Sequence, residues 1–261
     1  HPDVRRMLMA MRAQTEAARA LAYVGAAISD VAHCHANPET RTESLAIYEY
    51  LVPIIKGWST EMSQDVTRDG VQVHGGMGFI EETGAAQHYR DAKILTIYEG
   101  TTAIQANDLI GRKTVRDGGA TAKVILAQVR ATEAHLATML DGPRGADFKA
   151  ILTQLSRASR DLEAVVEWIV GNMKHDIKAV FSGSVPYLKL AGITLGGWQM
   201  ARAAIVAQKK LDAGTGDAGF YDAKIGTVRF FADHILAQAS GLRIAIIDGS
   251  AGVMALTAEQ F

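Results

Sequence analysis

Residues 47–58 read Ile-Tyr-Glu-Tyr-Leu-Val-Pro-Ile-Ile-Lys-Gly-Trp, and this stretch decides the fold class. Its apolar residues recur at intervals of three and four, which is the repeat of one face of an α-helix. These residues are Ile47, Leu51, Ile54, Ile55 and Trp58. Pro53 lies inside the stripe and lacks a backbone N–H, so we expect it to kink this helix or to begin a new one.

The same spacing dominates the rest of the chain, on both sides of the opening stretch. Apolar stripes run from Val4 to Leu21, from Ile125 to Leu140 and from Phe148 to Ile169, and two more helices are predicted around the loop 213–219. Asp117-Gly118-Gly119 is typical of a linker. We therefore predict an all-α protein, with a helical bundle at residues 1–117 and a second helical domain at residues 118–261.

Composition excludes several classes of protein. Lysine and arginine (27) balance aspartate and glutamate (28) in 261 residues, which argues against a nucleic-acid-binding module. A single cysteine forms no internal disulfide, so we expect a reducing compartment and a cytoplasmic location. No uninterrupted apolar run of membrane-spanning length occurs, so no membrane span is expected. Because the chain opens on His1-Pro2-Asp3 inside a helix signal, it reads as part of something longer.

Between residues 70 and 111 the pattern changes to short turns rich in glycine. His74-Gly75-Gly76 reads as a flexible turn, although paired glycines also let a backbone approach a cofactor closely. Glu99, between Tyr98 and Gly100, is either a solvated residue before a helix or a partly desolvated general base. Its spacing alone favours the first reading. Thr101 or Thr102 is expected to cap the helix that follows.

The histidines and the cysteine do not form a recognisable metal-binding pattern. Cys34 lies between His33 and His35, but neighbours at this spacing do not share a helical face. No second cysteine is present to complete a structural metal site. We interpret the three residues as the end of the first helix, and no metal is expected.

Three motifs in one order are more specific than any of these features alone. They are Val73-His74-Gly75-Gly76-Met77-Gly78-Phe79, Tyr89-Arg90-Asp91-Ala92-Lys93-Ile94 and Ile97-Tyr98-Glu99-Gly100-Thr101. The block resembles the acyl-CoA dehydrogenase family over residues 1 to about 115, including the opening helix of its C-terminal domain. The remainder is similar to the extra helical region of a subgroup with longer chains, which includes the 3-methylmercaptopropionyl-CoA dehydrogenases.

The resemblance implies a flavin-dependent dehydrogenation of an acyl-CoA thioester to a trans-2-enoyl-CoA. Glu99 matches the base that removes the α-proton, while the β-hydrogen leaves as hydride to N5 of FAD. The Glu99 backbone amide fits the role of polarising the thioester carbonyl. Tyr98 would wall the acyl pocket, and Gly100 would leave room for the thioester.

The resemblance also implies where FAD and other partners bind. Thr101 matches a flavin contact, whereas Ala103 replaces a polar contact of some members. A second segment matches the residues that reach the adenosine end of FAD across a subunit boundary, which implies a homo-oligomer. That segment consists of Gln72, Val73, His74, Gly75 and Gly76. Electron-transfer flavoprotein is the implied acceptor. The family's N-terminal helical domain and middle β-domain are not in this chain, so the chain alone is expected to be inactive.

Two other functions stay open at this point. The chain is alternatively a non-catalytic helical interaction or assembly module, in which case Glu99 would tolerate replacement by glutamine. A related acyl-CoA oxidase would use the same base with O₂ as acceptor. Neither the acyl specificity nor the oligomeric state follows from the sequence.

Overall fold

The computed structural model describes residues 1–261 as an all-α fold without a strand, which confirms the predicted fold class. Twelve α-helices are joined by short turns. They are α1 (Pro2–Cys34), α2 (Pro38–Val73), α3 (Gly76–Phe79), α4 (Ala85–Ile94), α5 (Thr102–Asp108), α6 (Ala120–Ala137), α7 (Gly145–Asn172), α8 (Ile177–Ser182), α9 (Ser184–Asp212), α10 (Ala218–His234), α11 (Ala239–Asp248) and α12 (Ser250–Val253). A π-helical segment, Leu109–Val115, continues α5.

The two longest helices, α1 and α2, form the first layer. As expected, α1 ends at Cys34, and Asn37 caps α2 by accepting a hydrogen bond from the Glu39 amide at 2.9 Å. Pro53 does not begin a new helix, because α2 runs without interruption from Pro38 to Val73. Buried neighbours such as Ile54 pack on both sides of the proline, and this packing compensates for the missing hydrogen bond.

Helix α9 runs through the centre of the molecule and is buried along most of its length. It packs against six other helices, α1, α2, α5, α7, α10 and α11. The close approach to α2 depends on Gly192 and Gly196, because the ring of Trp58 lies directly on both glycines. Trp58 itself is buried. The two halves of the chain therefore share one continuous core.

The segment predicted as a linker is an ordered turn. Gly118 and Gly119 both have positive φ, and the Asp117 side chain accepts hydrogen bonds from the amides of Gly119 and Thr121, each at 2.9 Å. A core cluster of 46 buried residues extends across this turn, from Ala13 to Ile246. The division into domains at residue 117 stays a prediction.

Three hydroxyl groups form a buried network between the helices. The hydroxyls of Tyr50 on α2 and Tyr187 on α9 are 2.8 Å apart, and Thr114 Oγ1 lies 2.9 Å from the Tyr187 hydroxyl. Thr114 also donates to the Leu109 carbonyl at 2.8 Å within the π-helical segment. Burial raises the pKa of Tyr187 from 10.0 to about 12, and it raises the pKa of Tyr50 well above its usual value.

These pKa values predict a loss of stability in alkali. The folded state keeps both phenolic protons where the unfolded chain releases them, so the stabilisation is complete below pH 10 and is lost as pH rises through the folded values. Tyr187→Phe is expected to reduce the slope of unfolding free energy against pH by about 1.4 kcal/mol per pH unit above pH 10. Urea titrations between about pH 9 and pH 11.5 measure this slope. Tyr23→Phe, at a 70% exposed position, is the control and should leave it unchanged. An equal slope in the Tyr187 variant would contradict the role of this network.

One helical stretch, Ala218–Asp248, is long and apolar enough by length and composition to cross a membrane: an 18-residue window within it has a mean hydropathy of 1.2, and 33% of that window is buried. The sequence has no uninterrupted apolar run of membrane-spanning length. This stretch meets the criterion because its apolar residues raise the mean hydropathy despite the polar residues between them. Its apolar residues Ile225, Val228 and Phe231 are buried in the core described above.

Candidate functional site

The turn between α4 and α5 holds Glu99 in an unusual backbone conformation. Glu99 has φ 53°, and it is the only residue other than glycine with a positive φ. Gly100 follows with φ 89°, a region that glycine tolerates and other residues avoid. Strain of this kind persists only where the surroundings fix it, and it concentrates at functional sites.

Three consecutive backbone amides in this turn have no acceptor within the chain. The amides of Glu99, Gly100 and Thr101 donate to no backbone or side-chain group, whereas the Thr102 amide donates to the Thr96 carbonyl at 3.2 Å and closes the turn. Unpaired backbone amides are strong hydrogen-bond donors. The turn can therefore bind an oxygen atom of a ligand next to the Glu99 carboxylate.

The Glu99 carboxylate is solvated in this chain. Its side chain is 69% exposed, and its Oε2 lies 3.5 Å from Lys56 Nζ on α2. In this chain no other element covers the turn, which agrees with the solvated alternative, and the role of Glu99 as a general base stays a prediction. Lys56 was not anticipated from the sequence.

The neighbours of Glu99 leave the turn accessible. Thr101 is the first residue flanking α5, as expected, but its hydroxyl makes no capping bond and no other hydrogen bond in the chain. Tyr98 is 46% exposed. A side chain at Gly100 would press against Ile104, at 3.3 Å from its Cγ2, so only glycine leaves this space free.

The second predicted cluster lies at the end of α2. Gln72 and Val73 complete the helix, and Gly75 has φ 60°. His74 Nδ1 donates to the Gly70 carbonyl at 2.8 Å. Nothing lies within 4 Å of a Cβ built at Gly75 or Gly76, so the backbone is open here. A helical rise of about 1.5 Å per residue puts this turn about 25 Å along α2 from Lys56, and hence far from Glu99.

These two turns fit parts of a site for FAD. The free Thr101 hydroxyl and the free amides supply hydrogen-bonding groups beside Glu99, and the open Gly75-Gly76 backbone admits close approach of a planar ring system. The distance between the turns means that they do not contact the same part of one ligand. Both turns are recognisable in the sequence, but the distance between them is not.

Helix α2 also contacts the segment that carries Glu99 at two further points. Gln64 Nε2 donates to the Ala92 carbonyl at 2.6 Å, and the Thr102 hydroxyl donates to Glu61 Oε1. Neither Glu61 nor Gln64 was expected in the site. In the sequence they stand out only as polar residues on an amphipathic helix, and many residues that merely face solvent have the same pattern.

Several large apolar side chains are exposed in the segment that links the two turns. Phe79 is 82% exposed, and the others of this exposed apolar set lie between residues 77 and 104. The set consists of Met77, Phe79, Tyr89, Ile94, Leu95, Ile97, Tyr98 and Ile104. Exposed apolar side chains in such number mark a surface that contacts another protein segment or a ligand. No group of three or more His, Cys, Asp or Glu side chains is arranged to hold a metal ion.

Comparison with known proteins identifies the family. Residues 1–114 match the family described as acyl-CoA dehydrogenase, C-terminal domain, and residues 125–257 match the one described as acetyl-CoA dehydrogenase C-terminal like. The chain is 46% identical to a 3-methylmercaptopropionyl-CoA dehydrogenase of Ruegeria pomeroyi over 95% of this chain and 41% of that protein. It is 34% identical to a broad-specificity linear acyl-CoA dehydrogenase of Mycobacterium tuberculosis, over 93% of this chain and 40% of that one.

A solved structure shares the fold. An acyl-CoA dehydrogenase from Bacillus anthracis, in complex with FAD, superposes with a TM-score of 0.70 at 18% identity, over 98% of this chain and 45% of that one. The chain thus spans about two fifths of the length of the curated relatives it matches. The resemblance inferred from the three motifs is confirmed: the chain belongs to the acyl-CoA dehydrogenase family and carries that family's C-terminal helical region.

Proposed function

We propose that this chain supplies the catalytic base and part of the flavin site of an FAD-dependent acyl-CoA dehydrogenase. The observation that carries the proposal is the turn at Glu99, where a carboxylate on a strained backbone adjoins three unpaired amides. The reaction converts an acyl-CoA thioester to a trans-2-enoyl-CoA.

The residues of the turn divide the chemistry between them. Glu99 takes the α-proton of the thioester, and the electron pair left on the α-carbon forms the double bond as the β-hydrogen departs with its own pair. An α-proton is weakly acidic, so the carbonyl oxygen needs a hydrogen-bond donor, and the free Glu99 amide supports that role. When bound, FAD supplies the hydride acceptor at N5.

Different residues of the chain bind the cofactor and the substrate. Thr101 contacts the flavin through its free hydroxyl, while the segment from Gln72 to Gly76 reaches the adenosine end of FAD. The separation of about 25 Å along α2 supports contact with a flavin of another subunit, and hence a homo-oligomer. Tyr98 lines the acyl pocket, and Gly100 leaves room for the thioester.

The exposed apolar set supports a larger assembly. We propose that other parts of the enzyme cover these side chains, and that the cover over Ile97, Tyr98 and Ile104, which lie nearest to Glu99 in the chain, removes water from Glu99. Electron-transfer flavoprotein is the proposed acceptor of the electrons, and the cytoplasm is the proposed location.

The test uses the full-length enzyme that contains this chain. Saturated acyl-CoAs of different lengths are incubated with the enzyme and an artificial electron acceptor, and mass spectrometry detects the loss of two hydrogen atoms. We expect one or more enoyl-CoA products. Hydrogen peroxide formed with O₂ as the acceptor would instead indicate an oxidase, and no product with any thioester would favour the assembly module. The isolated chain is the control, and it should retain no FAD through gel filtration.

A further inference from the structure

Helix α2 holds both ends of the segment that carries Glu99. At its start, Gln64 Nε2 donates to the Ala92 carbonyl at 2.6 Å. At its end, the hydroxyl of Thr102 donates to Glu61 Oε1. Glu61 and Gln64 are three residues apart and therefore lie on the same face of the helix, one turn from each other.

The two anchored residues are themselves fixed in the core. Thr102 is 8% exposed and Ala92 is also buried, so neither end of the segment is free to move in solvent. The Thr102 amide donates to the Thr96 carbonyl at 3.2 Å, which ties the exit of the turn to its beginning. A displacement of Thr102 therefore displaces the turn with Glu99 in it.

The backbone of Glu99 needs such anchors. Its positive φ is unfavourable for a residue with a Cβ, and the segment would relax if its ends were released. The Glu99 side chain itself has only the 3.5 Å contact with Lys56, which is too long and too exposed to hold it. Backbone hydrogen bonds close the turn from within, including those from the Tyr98 and Thr102 amides, and the bonds to Glu61 and Gln64 tie its two ends to α2.

We propose that Glu61 is a positioning residue for Glu99, acting through the hydroxyl of Thr102, with Gln64 as the second anchor. The inference rests on the proposed function. The carboxylate of Glu61 acts here as the hydrogen-bond acceptor for the Thr102 hydroxyl. Proton transfer depends steeply on geometry, and a displacement of about 1 Å costs about 100-fold in rate.

The test compares matched variants in the full-length enzyme. Glu61→Ala and Thr102→Val each remove the hydrogen bond, whereas Glu61→Gln and Thr102→Ser keep an acceptor and a donor at the same places. We expect the first pair to lower kcat by about 10- to 100-fold with little change in KM. The second pair should retain most of the wild-type rate. The double variant Glu61→Ala with Thr102→Val should be no slower than either single one, because both remove the same bond.

A second readout separates proton removal from flavin reduction. An analogue of the best substrate with sulfur in place of the β-carbon has no β-hydrogen to lose, but its α-protons still exchange. In D₂O, NMR should show slower exchange in Glu61→Ala and Thr102→Val, in parallel with kcat. Bound FAD and the unfolding temperature are measured for every variant. If Glu61→Ala does not fold, Thr102→Val, which conserves the shape of the side chain, provides the test in its place.

Each outcome distinguishes the inference from the proposed function. Wild-type kcat and exchange in both bond-removing variants would overturn the inference and leave the reaction standing. Equal losses in Glu61→Gln and Glu61→Ala would also overturn it, because the acceptor would then not be what matters. If the wild-type enzyme produces no enoyl-CoA and catalyses no exchange, the proposed function fails instead.

Discussion

Glu99→Gln is expected to reduce the dehydrogenation rate of the full-length enzyme by about 10³- to 10⁴-fold. Glutamine has the same shape as glutamate but cannot take up the α-proton. A general base typically accelerates a reaction by about 10²- to 10⁴-fold, and the loss lies in the upper part of that range when no other base replaces it. Turnover with an artificial acceptor measures the loss. KM should change little, since the amide preserves the volume and the hydrogen-bonding length of the side chain.

A matched control separates this effect from a general response to lost charge. Glu82 lies in the same turn-rich segment, is exposed, and makes no hydrogen bond or ion pair through its side chain. Glu82→Gln should therefore turn over at the wild-type rate. If Glu99→Gln retained the wild-type rate as well, Glu99 would have no role as the base, and the assembly function would gain support.

Gly192→Ala is expected to destabilise the chain by about 2 kcal/mol. A methyl group at this position would overlap Trp58 Cγ and lie 2.6 Å from Trp58 Cβ, atoms close to the backbone that cannot swing away. Overpacking of this kind costs about 3 kcal/mol, and the better helix propensity of alanine offsets about 1 kcal/mol. Urea unfolding of the chain, with the midpoint and slope compared with those of the wild type, measures the net change.

Gly226→Ala in α10 is the control for that measurement. Gly226 lies inside a helix with nothing within 4 Å of a Cβ, so alanine should stabilise the chain by up to about 1 kcal/mol. The two variants differ only in their surroundings. If both stabilised the protein equally, the close contact between α2 and α9 would not be needed for the fold.

The helical class could be read from the sequence because it depends on local spacing. Stripes such as the one from Ile47 to Trp58 repeat at three and four residues and form helices, although the single helix predicted after the loop 213–219 is divided into α10 and α11. The continuation of helix α2 through Pro53 could not be predicted from this spacing. A proline opposes a helix locally, and only the buried packing of the residues around it restores one.

In the candidate site, too, the local features could be predicted from the sequence and the long-range contacts could not. The turn at Glu99 was visible as an acidic residue between an aromatic residue and glycine. Its anchors were not, because Thr102 is 41 positions from Glu61, and Ala92 is 28 positions from Gln64. Contacts across such separations depend on how helices pack, which no spacing rule supplies. The glycines of α9 were hidden for the same reason, since their partner Trp58 lies on another helix.

The central claim, that Glu99 is the base of an acyl-CoA dehydrogenation, is tested most directly by one anaerobic titration. Acyl-CoAs of different chain lengths are added to the full-length wild type and to Glu99→Gln, and the flavin absorption band is recorded. The account predicts that the band bleaches in the wild type and persists in the variant. Bleaching in both proteins would keep the reaction but contradict the role of Glu99, and bleaching in neither would contradict the reaction itself.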